Sequence, residues 1–154
     1  MSERIHLGTA LVRQDGRVLL VASTYPNHAE PLWNLPGGRQ QPPELLAETA
    51  LRELREETGI EAQIRRLAYV SESYDRNVNF VNFTFVVELL QARTAIAREA
   101  EKDHIVAVEW VPETELAARI AVAVVREPLL AYLSGDSIGY AGYTDAGVSI
   151  VFPD

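Results

Sequence analysis

The sequence predicts an α/β fold, a mixed β-sheet flanked by helices in an α/β/α sandwich, and three observations carry that prediction. Val81, Phe83, Phe85, Val87 and Leu89 alternate with Asn82, Thr84 and Glu88, the period-two pattern of a strand. A glycine-bounded amphipathic helix occupies the middle of the chain, with strand-like segments both before and after it. Hairpin signals mix with crossovers, which argues against a regularly alternating parallel sheet. At 154 residues and 47% apolar content the chain fits one domain, 1–154, with its own hydrophobic core.

In chain order, Ile5 to Val12 reads as a strand and Asp15-Gly16 as a two-residue hairpin turn. Arg17 to Ala22 returns as a second strand, apolar enough to be buried on both faces. Ser23 to Leu32, with Pro26, Asn27, His28 and Pro31, reads as a surface loop, and Trp33 to Gly38 leads tightly out of it. The central helix follows. Pro42 and Pro43 suit its start, Ala47, Ala50, Leu51 and Leu54 share one side, and Gly59 stops it. Ala62 to Ser73 is a strand, Asp75-Arg76-Asn77 a turn, and the alternating run the next strand. Gln91 to Asp103 is polar and reads as a loop. Ile105 to Val111 is a strand stopped by Pro112, Glu113 to Ile120 a short helix, and Val122 to Leu133 a second helix that contains Pro128. The tail, 134–154, is rich in Gly and Tyr, with a turn at Thr144 to Gly147 and a strand at Val148 to Phe152. It is expected to add a hairpin at a sheet edge or to form a homodimer element.

Composition narrows the function. There are no cysteines, so a metal would be held by oxygen or imidazole. A net charge of −8 argues against broad binding to nucleic acid or to anionic membranes. A phosphorylated substrate stays compatible, because divalent cations bridge acidic protein to anionic ligand. No segment has the length of a membrane span, and the first residues lack the pattern of a signal peptide. The expected setting is cytoplasmic.

The chemistry concentrates in Arg52-Glu53-Leu54-Arg55-Glu56-Glu57. Glu48, Arg52 and Glu56 at i,i+4 spacing would by themselves describe a solvated helix surface. Glu53, Glu56 and Glu57, however, span an arc of roughly 100° that adjoins the apolar face. Three like charges so placed destabilise a helix unless a cation binds, and carboxylate oxygens suit Mg²⁺ or Mn²⁺.

The spacing extends further. Gly38, Glu44, Arg52-Glu53, Leu54, Glu56-Glu57, Gly59 and Ile60 stand in an order and separation that resembles the signature of the Nudix hydrolases at every specified position. The Leu-Pro-Gly-Gly lead-in and the later Glu109-Trp110-Val111-Pro112 are similar to that family as well. The resemblance runs from Ile5 to about Leu133 and leaves the tail unplaced.

That resemblance implies hydrolysis, with divalent metal, of a nucleoside diphosphate linked to another moiety, water attacking a phosphorus of the diphosphate. It implies Glu53, Glu56 and Glu57 as metal ligands with the Gly38 carbonyl. Arg52 would orient the glutamates, and Glu44 would support the loop–helix junction. The general base stays unassigned. Family members often supply a later acidic residue; here Glu99, Glu101, Asp103 and His104 occupy that region, and His104 stands where a glutamate is expected. Tyr25, Trp33, Tyr74 and Phe80 are candidates for stacking on a nucleobase. The resemblance favours a nucleoside triphosphate or a nucleotide sugar such as ADP-ribose. The proline typical of ADP-ribose enzymes and the coenzyme A type motif are both lacking. A non-catalytic ligand-sensing domain is the alternative, although such domains generally lose glutamates that this sequence keeps. RNA cap removal fits the acidic composition poorly.

Overall fold

A computed structural model describes residues 3–91, 102–136 and 138–150. Strand β1 (Glu3–Leu11) is followed by β2 (Arg13–Gln14) and β3 (Arg17–Ser23), then by β4 (Leu32–Asn34) and β5 (Gly37–Arg39). Helix α1 (Leu46–Thr58) precedes β6 (Ala62–Asp75), β7 (Val78–Leu89) and β8 (Ile105–Pro112). A 3₁₀ turn at Glu113–Glu115 leads into α2 (Leu116–Arg119), α3 (Ala123–Leu133) and β9 (Tyr140–Tyr143).

The strands form two sheets rather than one. The larger has the order β5-β1-β7-β6-β9; the smaller runs β2-β3-β4, with β8 also pairing β3. The larger sheet is mixed. β1 runs parallel to β7 from Glu3↔Val78 to Leu11↔Val86, and β6 runs parallel to β9, while β1–β5 and β6–β7 are antiparallel. Both tight hairpins rest on positive φ: Asp15 and Gly16 between β2 and β3, and Arg76 between β6 and β7.

Period-two alternation explains how the layers share the strands. On β1, Ala10 packs into one buried cluster with Leu54 and Ile60, while Leu11 packs into another with Leu116, Ile120 and Leu129. On β3, Leu19 joins the first cluster and Val18 and Leu20 the second. Ala10 and Leu11 of β1 and Val18 to Ala22 of β3 are apolar in succession because α1 covers one side and α2 and α3 the other.

Several expectations change. Pro42 and Pro43 lie in the turn before α1, whose first turn is closed by Glu48 accepting the Leu45 N–H (2.7 Å). The lead-in to the helix contains two short strands, β4 and β5. Residues 148–150 form no strand, and 151–152 lie outside the described residues; β9 is instead the part of the tail that joins the sheet edge. The expected loop at 91–103 falls largely outside the described residues. Pro128 is accommodated within α3 and buried.

Candidate active site: buried carboxylates beside a polar-floored cleft

Helix α1 delivers its acidic side chains to the edge of the larger sheet because its N-terminal half can lie almost against β1. A Cβ at Gly8 would stand 2.7 Å from the Leu46 carbonyl oxygen and 2.9 Å from Thr49 Cβ, so only glycine permits that approach. The helix ends at Gly59, whose φ of 76° places it in the left-handed region and whose N–H caps the Arg55 carbonyl (2.8 Å).

Glu53 and Glu57 are buried, 2% and 3% exposed, and Glu56 is half-buried beside them. Burial would raise Glu53, but a hydrogen bond from Glu57, the Lys102 ammonium and the Arg52 charge bring it below the ordinary carboxylate range. Glu57 is pushed well above that range, by burial first and then by the hydrogen bond and charge of Glu53. The Gly37 N–H also reaches Glu57 Oε1 at 3.3 Å.

Arg52 holds the cluster from outside. Its Nη1 bonds Glu53 Oε1 (2.8 Å) and Glu56 Oε1 (3.1 Å). Its Nε and Nη2 grip the Glu44 carboxylate at 3.0 and 2.9 Å, and Nη2 also bonds the Arg39 carbonyl at 2.9 Å. All five N–H donors are thereby used. Glu44 in turn accepts from the Gln41 N–H and the Thr49 hydroxyl, both at 2.8 Å. The Arg52 hydrogen bond is the chief reason its acidity rises, to a pKa of about 2. This fork ties the loop before the helix to the helix itself.

Lys102, which sequence reasoning passed over, completes the site. Its Nζ lies 2.7 and 2.5 Å from the two Glu53 oxygens and 3.5 Å from Glu56 Oε1. His104 sits nearby, half-buried, and its pKa is lowered by burial and by Lys102 against the opposing pull of Glu53. Its carbonyl accepts the Thr24 N–H at 2.9 Å. Asp103 is exposed, and Glu99 and Glu101 lie outside the described residues.

Among the described residues no three carboxylate or imidazole groups converge as a ready ligand set; Glu53 pairs with Glu57, and Glu56 turns to Arg52 and Lys102. The donor set nonetheless suits a hard divalent cation. It is all oxygen, it is buried, and a positive charge already stands on it in the Lys102 ammonium. Gly38 makes the cradle possible, because a Cβ there would come within 2.5 to 2.7 Å of the Glu53 carboxylate.

On the other face of the same strands lies a cleft. Leu7 and Thr9 of β1, Ser71 and Ser73 of β6, and Phe80 and Asn82 of β7 line it, as do Gly37 and Gly38. The two glycines are thus shared, one side bearing on the carboxylates and the other on the cleft. The cleft floor is polar: Thr9 Oγ1 donates to Asn82 Oδ1 (2.6 Å), and Asn82 Nδ2 donates to Thr84 Oγ1 (3.0 Å). Thr9, Ser71, Ser73 and Thr84 are all buried. Of the polar half of the β7 alternation, Asn82 therefore faces this cleft and Thr84 is buried beneath it, while Glu88 is exposed.

Of the aromatic candidates, Tyr25, Trp33 and Phe80 stand in the cleft wall, Trp33 with the Arg119 guanidinium 4.7 Å above its ring. Burial raises the Tyr25 pKa, a Ser23 hydrogen bond opposes it, and Glu57 adds to the rise. Tyr74 lies outside the cleft, at a shallow depression with Arg76 and Asp145. The parity of β6 carries that signal, since Tyr74 follows the cleft-facing Ser73.

Mixed sheets flanked by helices, with buried helix carboxylates at a glycine-lined cleft, define a hydrolase of the Nudix type. Comparison with known proteins bears this out. The NUDIX domain family model matches residues 3–133. Phosphatase NudJ of Escherichia coli (strain K12) is 33% identical over 131 residues, which cover 81% of this chain and 80% of that protein. A NUDIX hydrolase from Nitrosomonas europaea superposes with a TM-score of 0.74 at 23% identity, over 94% of this chain and 81% of that one. The MutT protein of Methanosarcina mazei Go1 does so at 0.71 and 22%, over 86% and 95%. The chain belongs to the Nudix hydrolases. That family acts on small nucleotide substrates and generally uses divalent metal. Among the described residues no helix is long and apolar enough to cross a membrane.

Proposed function

We propose that this enzyme hydrolyses a nucleoside diphosphate linked to another moiety, with a nucleoside triphosphate or an ADP-ribose-like nucleotide sugar as the favoured substrate and Mg²⁺ as the working ion. The observation that carries this is the shared Gly37-Gly38 strand, which puts the buried carboxylates and the cleft on either side of two residues without side chains. A diphosphate at that point reaches the acidic cluster while its organic substituent occupies the cleft.

Glu53, Glu56 and Glu57, with the Gly38 carbonyl, would hold the ion, with Mn²⁺ an acceptable substitute. When bound, the ion supplies positive charge against the phosphate oxygens and acidifies water, the two requirements of phosphoryl transfer. Arg52 keeps Glu53 and Glu56 in position through its fork to Glu44. Lys102, on Glu53 in the structure, would share that carboxylate with the ion and would add positive charge toward the phosphates. His104, held neutral by its surroundings, is available to accept a proton from water.

The test is release of phosphate-containing products (a nucleoside monophosphate with pyrophosphate or with a sugar phosphate) from a panel of nucleotides with Mg²⁺, compared with EDTA. Turnover in the wild type, its loss with EDTA, and its loss in Glu56→Gln or Glu57→Gln at unchanged melting temperature would support the assignment. Wild-type rates in either variant would remove those carboxylates from the site.

A further inference from the structure

One side of the cleft is built by sequence beyond residue 133, where the family match ends. After β9 the chain returns to the cleft, and Ala146, Val148 and Ile150 all line it. This segment is fastened to two separate parts of the molecule. At the end of β6, the Ala146 N–H donates to the Tyr74 carbonyl (2.8 Å) and the Ile150 N–H to Asp75 Oδ2 (3.2 Å). In the loop between β3 and β4, Asn27 Nδ2 donates to the Ser149 carbonyl at 2.6 Å, and His28 Nε2 lies 2.7 Å from the same oxygen. The His28 ring also meets Tyr25 edge-on, with centroids 6.3 Å apart, and Tyr25 is itself a cleft residue. Thr144 to Ile150 is therefore a strap between the end of β6 and the Tyr25 loop.

The space beside it has a definite chemistry. Trp33, Phe80 and Val125 oppose or flank the strap's Val148 and Ile150, and the floor carries the Thr9 and Asn82 hydrogen-bonding groups. Apolar sides over a polar floor fit a flat ring with hydrogen-bonding edges. Among the described residues no lysine, arginine or histidine lines the cleft, whereas Glu72 and Asp75 do. An additional phosphate beside Glu72 and Asp75 would meet carboxylate charge.

We infer that the Thr144–Ile150 strap is the specificity wall of the enzyme: Val148 and Ile150 pack against an uncharged, ring-bearing substituent of the diphosphate, and Asp75 at the strap's anchor disfavours substrates phosphorylated at that far end. The inference rests on the hydrolase reading above and deepens it.

Two measurements on the full chain test it. Binding of nucleosides, which lack the diphosphate, is followed without metal by tryptophan fluorescence, since Trp33 lines the cleft. Turnover of the matching nucleoside triphosphates with Mg²⁺ is followed by chromatography of the nucleotide products. The wild type should bind at least one nucleoside. Val148→Trp, and the milder double variant Val148→Ala/Ile150→Ala, should each weaken that binding at least fivefold, with the matching effect in KM rather than kcat. Asp75→Asn, which can still accept the Ile150 N–H, should narrow the preference for a nucleotide over its 3′-phosphorylated form at least threefold. Binding and KM unchanged in both strap variants, with wild-type melting, would overturn the inference, as would a wild type that binds no nucleoside. A wild type that binds nucleosides but converts no nucleotide of the panel into monophosphate products would sink the hydrolase reading and leave the strap standing.

Discussion

Lys102 offers the sharpest test of how the site is poised, because its ammonium stands where a metal ion would draw on the same oxygens. The substitution Lys102→Met keeps the aliphatic length and removes the charge. In the structure the ammonium makes two close contacts to Glu53, at 2.7 and 2.5 Å, and a looser one to Glu56 at 3.5 Å. Removing one partner of a fully buried ion pair costs about 3–5 kcal/mol. Two features reduce that here: Lys102 is a quarter exposed, and Arg52 still bonds Glu53 at 2.8 Å. A charge-assisted hydrogen bond of about 2 kcal/mol is the appropriate scale. The metal-free protein should therefore be less stable by about that amount. A bound ion replaces the lost contact, so the same free energy appears as tighter metal binding, about 30-fold at 1.4 kcal/mol per decade. Thermal melting in EDTA and calorimetric titration with Mn²⁺ read the two sides of this cycle. Wild-type melting without metal, together with a metal affinity within threefold of wild type, would refute the idea that Lys102 competes for the site.

Other outcomes follow from the same geometry. Arg52→Lys retains the charge but loses the two-pronged grip on Glu44 and the bond to the Arg39 carbonyl, so it should melt lower by about 1–3 kcal/mol of stability and turn over at least about tenfold more slowly; wild-type kinetics would show that the fork is dispensable. Gly38→Ala places a Cβ within 2.5 to 2.7 Å of the Glu53 carboxylate, and displacing that group should cost about a hundredfold in kcat for a modest drop in melting temperature; an unperturbed rate would move the metal site elsewhere. Glu44 has its pKa depressed from 4.5 to about 2, chiefly by Arg52, so its contribution to stability is complete above pH 4.5 and is lost as pH falls toward 2. Glu44→Gln should flatten that part of the stability–pH curve, and an unaltered acid limb would show that the fork contributes nothing to it.

How much of this was legible beforehand depended on whether the information was local. The helix, its glycine stop and the spacing of Glu53, Glu56 and Glu57 repeat at helical period within one segment, so charge placement against the apolar face could be read directly. β4 and β5 have three residues each, too few to show a period, and their existence depends on partners in β3 and β1. Lys102 was invisible for a related reason: its partner lies 49 residues away, and only the fold brings them together. Asn82 and Thr84 were read correctly as one face of a strand, but polar residues on a strand face ordinarily mean solvent. Here that face is covered by α3-side residues and the C-terminal strap, and it becomes the floor of the cleft.

The same distinction separates the reaction from its substrate. The acidic cluster and its supports lie between Gly37 and Glu57, the two glycines, the Glu44–Arg52 fork and the three carboxylates, and Lys102 and His104 join them from one later segment. A mutation there acts on every substrate alike. The cleft draws on β1, β4, β6, β7, the start of α3 and the strap, parts that are far apart in sequence and that end outside the family segment. With the strap as the proposed specificity wall, selectivity would change through residues 144–150 without touching the acidic cluster, which adjoins the cleft at Gly37 and Gly38. A chain that kept its carboxylates and exchanged its strap would retain the chemistry and change the molecule on which it acts.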